Sequence, residues 1–119
     1  MTQQNKILVV DDNPENVKLL ADLLTVKGYQ VATAENVEKS NAAISHSVPD
    51  IIITDVKLAD GHGLDLCKTV REDKEIPFIF LADDSVKSEF SDELKSLGNA
   101  ELTKTHEVSE IVKLVENML

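Results

Sequence analysis

The sequence predicts an α/β domain in which a parallel sheet carries helices on both faces. Two observations predict it. Five short apolar runs rich in β-branched residues alternate with five segments of helical period, and three of the runs are apolar at nearly every position. A strand covered on both faces reads that way, whereas a strand with one wet face alternates.

The runs are Lys6 to Val10, Gln30 to Ala34, Ile51 to Thr54, Phe78 to Leu81 and Ala100 to Thr103. The first, third and fourth contain ILVV, IIIT and FIFL and belong in the middle of the sheet. The second and fifth alternate or are short, which places them towards its edges. The first helix follows Asp11 and Asp12: Asn13 caps it, Pro14 takes its first position, and Val17, Leu20, Leu23 and Leu24 form one face before Lys27 and Gly28 close it. A second helix, about Val37 to His46, is weakened by Ser40, Asn41 and Ser45. Leu64, Cys67 and Val70 carry the third helix. Val86, Phe90, Leu94 and Leu97 carry the fourth, which ends at Gly98, and Val108, Ile111, Val112 and Val115 carry the last.

A chain of 119 residues without repeat, linker or low-complexity stretch predicts a single domain over residues 1–119. The formal net charge of −10 repels a phosphate backbone, so direct nucleic-acid binding by this segment is not expected. Cys67 is the one cysteine and cannot form an internal disulfide. It falls on the apolar stripe of the third helix, where a packed core thiol is expected. No signal-like N-terminus and no apolar run near the length of a membrane span is present, which predicts a cytoplasmic protein with no membrane association.

Ligands of an open parallel α/β sheet bind outside the carboxyl ends of its strands. The first run ends in Asp11 and Asp12, the third in Asp55, the fourth in Ala82, Asp83 and Asp84, and the fifth in Lys104. Taken singly, each has a simpler reading. Acids before a helix favour its dipole, an Asp after a strand is a turn residue, and a lysine is usually solvated. Together they bring several carboxylates into one crevice. Such a cluster repels itself unless a hard divalent cation sits among the oxygens, and a small set of oxygen ligands suits Mg²⁺.

The segments ILVVDDNPENVKLL, PDIIITD, LADGHGLDLCKTVR, IPFIFL and LTK resemble, in order and spacing, the receiver domains of response regulators in two-component signalling. The resemblance covers essentially the whole chain. It implies a five-stranded parallel sheet of flavodoxin-like order 2-1-3-4-5 flanked by five helices. It also implies that Asp55 is the phosphoacceptor, attacking a phosphohistidine on a partner histidine kinase or phosphotransfer protein. Asp11 and Asp12 match the pair that holds Mg²⁺ with Asp55 and the backbone carbonyl of Lys57. Lys104 matches the lysine that pairs with the phosphoryl group. The output would pass to a downstream protein or a fused effector domain.

Several positions depart from the family pattern. Ala82 stands where a Thr or Ser hydroxyl normally bonds the phosphoryl oxygen, a charge-assisted bond worth about 1.5 to 3 kcal/mol. Asp83 replaces a small residue and, facing the site, would oppose phosphorylation. Glu101 replaces the switch aromatic, and a glutamate disfavours the buried rotamer that a ring adopts. Thr105 follows Lys104 where proline is common, implying either a trans bond with a shifted loop or a cis bond held by its surroundings. Ala59 replaces a common Pro, a change that Gly61 and Gly63 accommodate. The expectation is a receiver that accepts Mg²⁺ and phosphate while signalling by a non-standard route.

The nearest alternative is a pseudo-receiver, a protein-binding module with the same fold that works without phosphorylation. Asp11, Asp12, Asp55 and Lys104 speak against it, and Ala82, Asp83 and Glu101 speak for it. An aspartyl-phosphate hydrolase needs a second acid two residues after its nucleophile, where this chain has Lys57. Dinucleotide binding needs a glycine-rich turn where it has DDNP. His46, His62 and His106 are too dispersed to share a metal, and His62 reads as a solvated loop residue near the site.

Overall fold

The sheet grows outward from three strands that are buried along nearly their whole length. In the computed structural model these are β1 (Lys6–Val10), β3 (Ile51–Asp55) and β6 (Phe78–Leu81). Residues 5–58, 60–82, 98, 100–103 and 108–119 are described. The more polar β2 (Gln30–Ala34) and the short β7 (Ala100–Thr103) take the two edges, and the order is β2-β1-β3-β6-β7 with every neighbouring pair parallel. This is the order 2-1-3-4-5 that the resemblance implies, counted over the five strands of the sheet.

Alternation along the strands divides the core in two. Leu8, Val10, Ile52, Phe78 and Phe80 face one side, where Ile44 of α2 (Val37–His46) and Leu66, Cys67 and Val70 of α3 (Gly63–Arg71) cover them. Ile7, Val9, Ile51, Ile53, Ile79 and Leu81 face the other. There Leu20 and Leu24 of α1 (Pro14–Val26) and Ile111, Val112 and Val115 of α4 (Val108–Met118) close the core. Cys67 is fully buried, as its place on the stripe of α3 predicts, and burial pushes its thiol upward in pKa. The helix expected over Val86 to Leu97 lies outside the described residues, so α4 is the last of the five that the sequence predicts.

Two local expectations are refined. Leu20 and Leu24 of α1 are buried, but Leu23 is 39% exposed and does not share their face. A helix turns about 100° per residue, which carries Leu23 to the flank of the stripe that Val17, Leu20 and Leu24 define. The segment after Asp55 is also more ordered than a plain loop, because β4 (Lys57–Leu58) and β5 (Gly61–His62) pair antiparallel as a small separate hairpin. Among the described residues no helix is long and apolar enough to cross a membrane.

Candidate metal and phosphoryl site

Sheet register brings the acidic residues together. Val10 at the end of β1 is aligned with Thr54 of β3, so the next residues along the two strands, Asp11 and Asp55, emerge side by side. Asp11, Asp12 and Asp55 each offer a carboxylate oxygen, and the three oxygens lie within 4.8 Å of one another. Asp11 is buried, Asp55 half-buried and Asp12 exposed. The group therefore opens towards solvent from a rigid floor.

The start of α1 holds Asp11 in place. Its Oδ1 accepts the backbone N–H of Asn13 at 2.9 Å, and its own N–H donates to the carbonyl of Ala34 at 3.1 Å. Asn13 in turn caps α1, accepting from the backbone N–H groups of Glu15 and Asn16, and Pro14 occupies the first turn as expected. On the other side, the backbone N–H of Val56 donates to the Leu81 carbonyl at 3.2 Å, and the nearby amides of Lys57 and Val56 favour the charged form of the Asp55 carboxylate.

These amides do not cancel the cost of crowding. Burial, followed by the neighbouring charges of Asp11 and Asp12, pushes the Asp55 carboxyl up to about 6. Burial is likewise the main cause raising Asp11, with the charge of Asp12 adding to it. A carboxylate raised in this way is destabilised while no counter-charge is near, and a divalent cation bound by three such oxygens removes the penalty. The donor set, hard oxygens with open solvent on one side, fits Mg²⁺. A groove of about 540 Å³ beside it, bordered by Asp11, Asp12, Pro14, Val17, Thr33 and Lys39, leaves the cluster accessible.

The remaining candidate positions divide into those described and those not. The backbone of Lys57 lies at the base of the hairpin, next to Asp55, while its side chain is exposed. Ala82 follows β6 and is 2% exposed, packed in the core on the side of α3. Glu101 lies exposed on β7, opposite Ile79, in keeping with the reluctance of a glutamate to turn inward. His46 and His62 are both exposed, and they lie apart, at the end of α2 and on β5. Ala59, Asp83, Lys104, Thr105 and His106 lie outside the described residues.

Comparison with known proteins settles the family. The family described as "Response regulator receiver domain" matches residues 7–116, nearly the full chain. The chain belongs to the response regulator receiver domains. Among similar structures, the chemotaxis response regulator CheY4 of Vibrio cholerae superposes on this receiver with a TM-score of 0.87 at 26% identity, covering 98% of this chain and 100% of that one. The response regulator TrrA of Thermotoga maritima, solved in complex with Mg²⁺ and BeF, gives a TM-score of 0.83 at 28% identity, covering 98% and 100%. In sequence, the receiver is 30% identical to the transcriptional regulatory protein KdpE of Staphylococcus aureus over 97% of this chain and 51% of that protein. It is 29% identical to the nisin biosynthesis regulatory protein NisR of Lactococcus lactis over 93% and 48%. The receiver thus spans about half the length of these two relatives.

Two features of the site have no counterpart in the sequence reading. Gly63, which opens α3, lies against the main chain of Asp55 and donates its N–H to the Val56 carbonyl at 2.8 Å. Asp60, in the turn of the hairpin, bonds the start of α2. A glycine eight residues after an acidic strand end was a legible hint of the first. Nothing local announces the second, whose partners lie 22 and 23 residues away.

Proposed function

We propose that this receiver, a single domain over residues 1–119, accepts a phosphoryl group on Asp55 with Mg²⁺ held by Asp11, Asp12, Asp55 and the carbonyl of Lys57. The observation that carries the reading is the convergence of three carboxylates at the carboxyl end of a parallel sheet, with Asp55 at its centre. The donor is a histidine kinase or phosphotransfer protein. An Asp55 oxygen forms the new bond to phosphorus as the bond from phosphorus to the donor imidazole nitrogen breaks, and the imidazole leaves neutral after taking up a proton. Bound Mg²⁺ supplies cancellation of charge on the phosphoryl oxygens.

The chain's own contribution is positioning and charge. The Lys57 amide favours the charged Asp55 carboxylate, and the Asn13 amide holds Asp11. Lys104 is assigned the cation that pairs with the phosphoryl group. In support, the preceding residue Thr103 is aligned with Leu81, which is aligned with Asp55 on the next strand. The domain assists its own phosphotransfer and dephosphorylation and turns over no other substrate. A downstream protein or fused effector domain reads the output. With Ala82 in place of a hydroxyl and Glu101 in place of an aromatic, that readout does not use the usual pair of switch residues.

Incubation with acetyl phosphate or phosphoramidate and Mg²⁺, followed by intact mass, tests the proposal. Wild type gains one phosphoryl group and Asp55→Asn gains none. Failure of wild type to label under conditions that label an ordinary receiver would reject the reading in favour of a phosphorylation-independent module.

A further inference from the structure

We infer that Asp60 is a positioning residue for Asp55: it ties the β4–β5 hairpin to α2 and thereby holds the Lys57 amide that orients the Asp55 carboxylate. The inference rests on the reading of Asp55 as the phosphoryl and Mg²⁺ site.

The hairpin has two rungs only, Lys57 with His62 and Leu58 with Gly61, and a two-stranded hairpin of this size is not stable alone. It needs anchors at both ends. At its base the anchor is the bond from the Gly63 N–H to the Val56 carbonyl, supported by the buried side chains of Val56 and Leu58. At its tip the anchor is Asp60. Asp60 Oδ1 accepts the N–H of Val37 at 2.8 Å, and Oδ2 accepts the N–H of Glu38 at 3.1 Å. A carboxylate bonded to two amides at a positive helix end makes a strong, charge-assisted tie. Gly61 marks the same approach, since a Cβ there would stand 3.2 Å from Cγ2 of Val37.

The far end of the hairpin reaches the site. Lys57, on the first rung, lies two residues after Asp55, and its backbone N–H favours the charged form of the Asp55 carboxylate. A continuous connection therefore runs from the first turn of α2 through Asp60 and the two rungs to Lys57 and Asp55. Groups that orient a metal ligand typically contribute about 10- to 100-fold to metal affinity, and Asp60 acts one step further out, so about three- to tenfold is expected.

The test compares Asp60→Ala, Asp60→Asn and Asn36→Ala. Asn36 caps the same helix by accepting from the Lys39 N–H at 2.8 Å but has no described bond to the hairpin. Two quantities are read by NMR in the full chain: Mg²⁺ affinity by titration, and hydrogen exchange of the Lys57 amide in metal-free buffer. Asp60→Ala should weaken Mg²⁺ about three- to tenfold and speed Lys57 exchange, with Asp60→Asn in between. Asn36→Ala should destabilise α2 and change both quantities clearly less than Asp60→Ala does, because the Asp60 bonds to Val37 and Glu38 remain. The inference is overturned if Asp60→Ala leaves Lys57 exchange unchanged, or if Asn36→Ala weakens Mg²⁺ equally. Wild type that binds no Mg²⁺ would reject the proposed function alone, because Lys57 exchange still decides the positioning role.

Discussion

Gly63 and Asp55 touch through the main chain: a Cβ built on Gly63 would stand 2.4 Å from the Asp55 carbonyl oxygen and 3.0 Å from Cγ2 of Thr54. Real side chains do not approach backbone oxygen so closely, so the start of α3 can lie where it does only with glycine there. Thr54 adds to the constraint, since it is fully buried and its Oγ1 donates to the same Asp55 carbonyl at 3.0 Å. Gly63→Ala must push α3 away from the end of β3. The expected cost is that of overpacking, about 1 to 3 kcal/mol in urea unfolding. Unfolding at the wild-type midpoint would show that the contact is looser than described.

The raised pKa of Asp55 sets a pH dependence whose sign is unusual for a carboxylate. The folded state holds this proton more tightly than the unfolded chain, because the carboxyl moves from its ordinary 3.8 up to about 6. Its contribution to stability is therefore fully present below about pH 3.8 and is lost as pH rises through about 6. Asp11, raised by the same burial, acts in the same direction. Metal-free protein should melt higher at pH 5 than at pH 7.5. Mg²⁺ requires the ionised form, so its affinity should fall about tenfold per pH unit below 6. Melting curves in EDTA and in Mg²⁺ at the two pH values check both statements, and a metal-free Tm that falls on going to pH 5 contradicts the first.

Removing the charge should have the same effect as protonating it. Asp55→Asn keeps an oxygen beside the Lys57 amide and relieves the repulsion from Asp11 and Asp12. Metal-free stability at pH 7.5 should rise by about 1 kcal/mol, the shift having been discounted for the partial exposure of the group. The stabilisation by Mg²⁺ should largely disappear. Chemical denaturation with and without the ion measures both, and a variant less stable than wild type without metal would show that the amide bonds outweigh the repulsion.

Much of the architecture could be read from hydropathy alone. The runs of β1, β3 and β6 are apolar at successive positions, and only a strand covered on both faces tolerates that. Burial then puts these three in the middle of the sheet and the other two runs at its edges, whereas their exact order, which brings Asp11, Asp12 and Asp55 together, comes from the family resemblance. What stayed hidden is non-local. The propensity of α2 is poor because Ser40, Asn41 and Ser45 favour other conformations. The helix forms nonetheless, since Asn36 and the distant Asp60 between them satisfy the backbone N–H groups of Val37, Glu38 and Lys39. The β4–β5 hairpin escapes for a related reason: strands of two residues have no period to detect, and contacts outside them determine whether they pair. Leu23 was misplaced because three-residue spacing alone does not say where the centre of a helical face lies.

Ala82 and Glu101 can be tested as the two missing parts of a switch. Ala82 is 2% exposed and its N–H donates to the Thr103 carbonyl at 2.9 Å, so its backbone is already held in the sheet. Ala82→Thr adds a hydroxyl at that fixed position at the expense of packing, about 1 to 3 kcal/mol of stability. If the hydroxyl reaches a phosphoryl group on Asp55, a charge-assisted bond of about 1.5 to 3 kcal/mol is gained in the phosphorylated state. That corresponds to roughly a tenfold or greater shift towards the acyl phosphate at equilibrium with a small donor. The single variant should still leave β7 unresponsive, because Glu101 remains exposed on its edge strand and has no reason to turn inward. Only the pair Ala82→Thr with Glu101→Tyr should add chemical-shift changes along Ala100–Thr103 on phosphorylation. Shifts of that kind in wild type would show that this receiver already signals through β7 and that its departures from the family are silent.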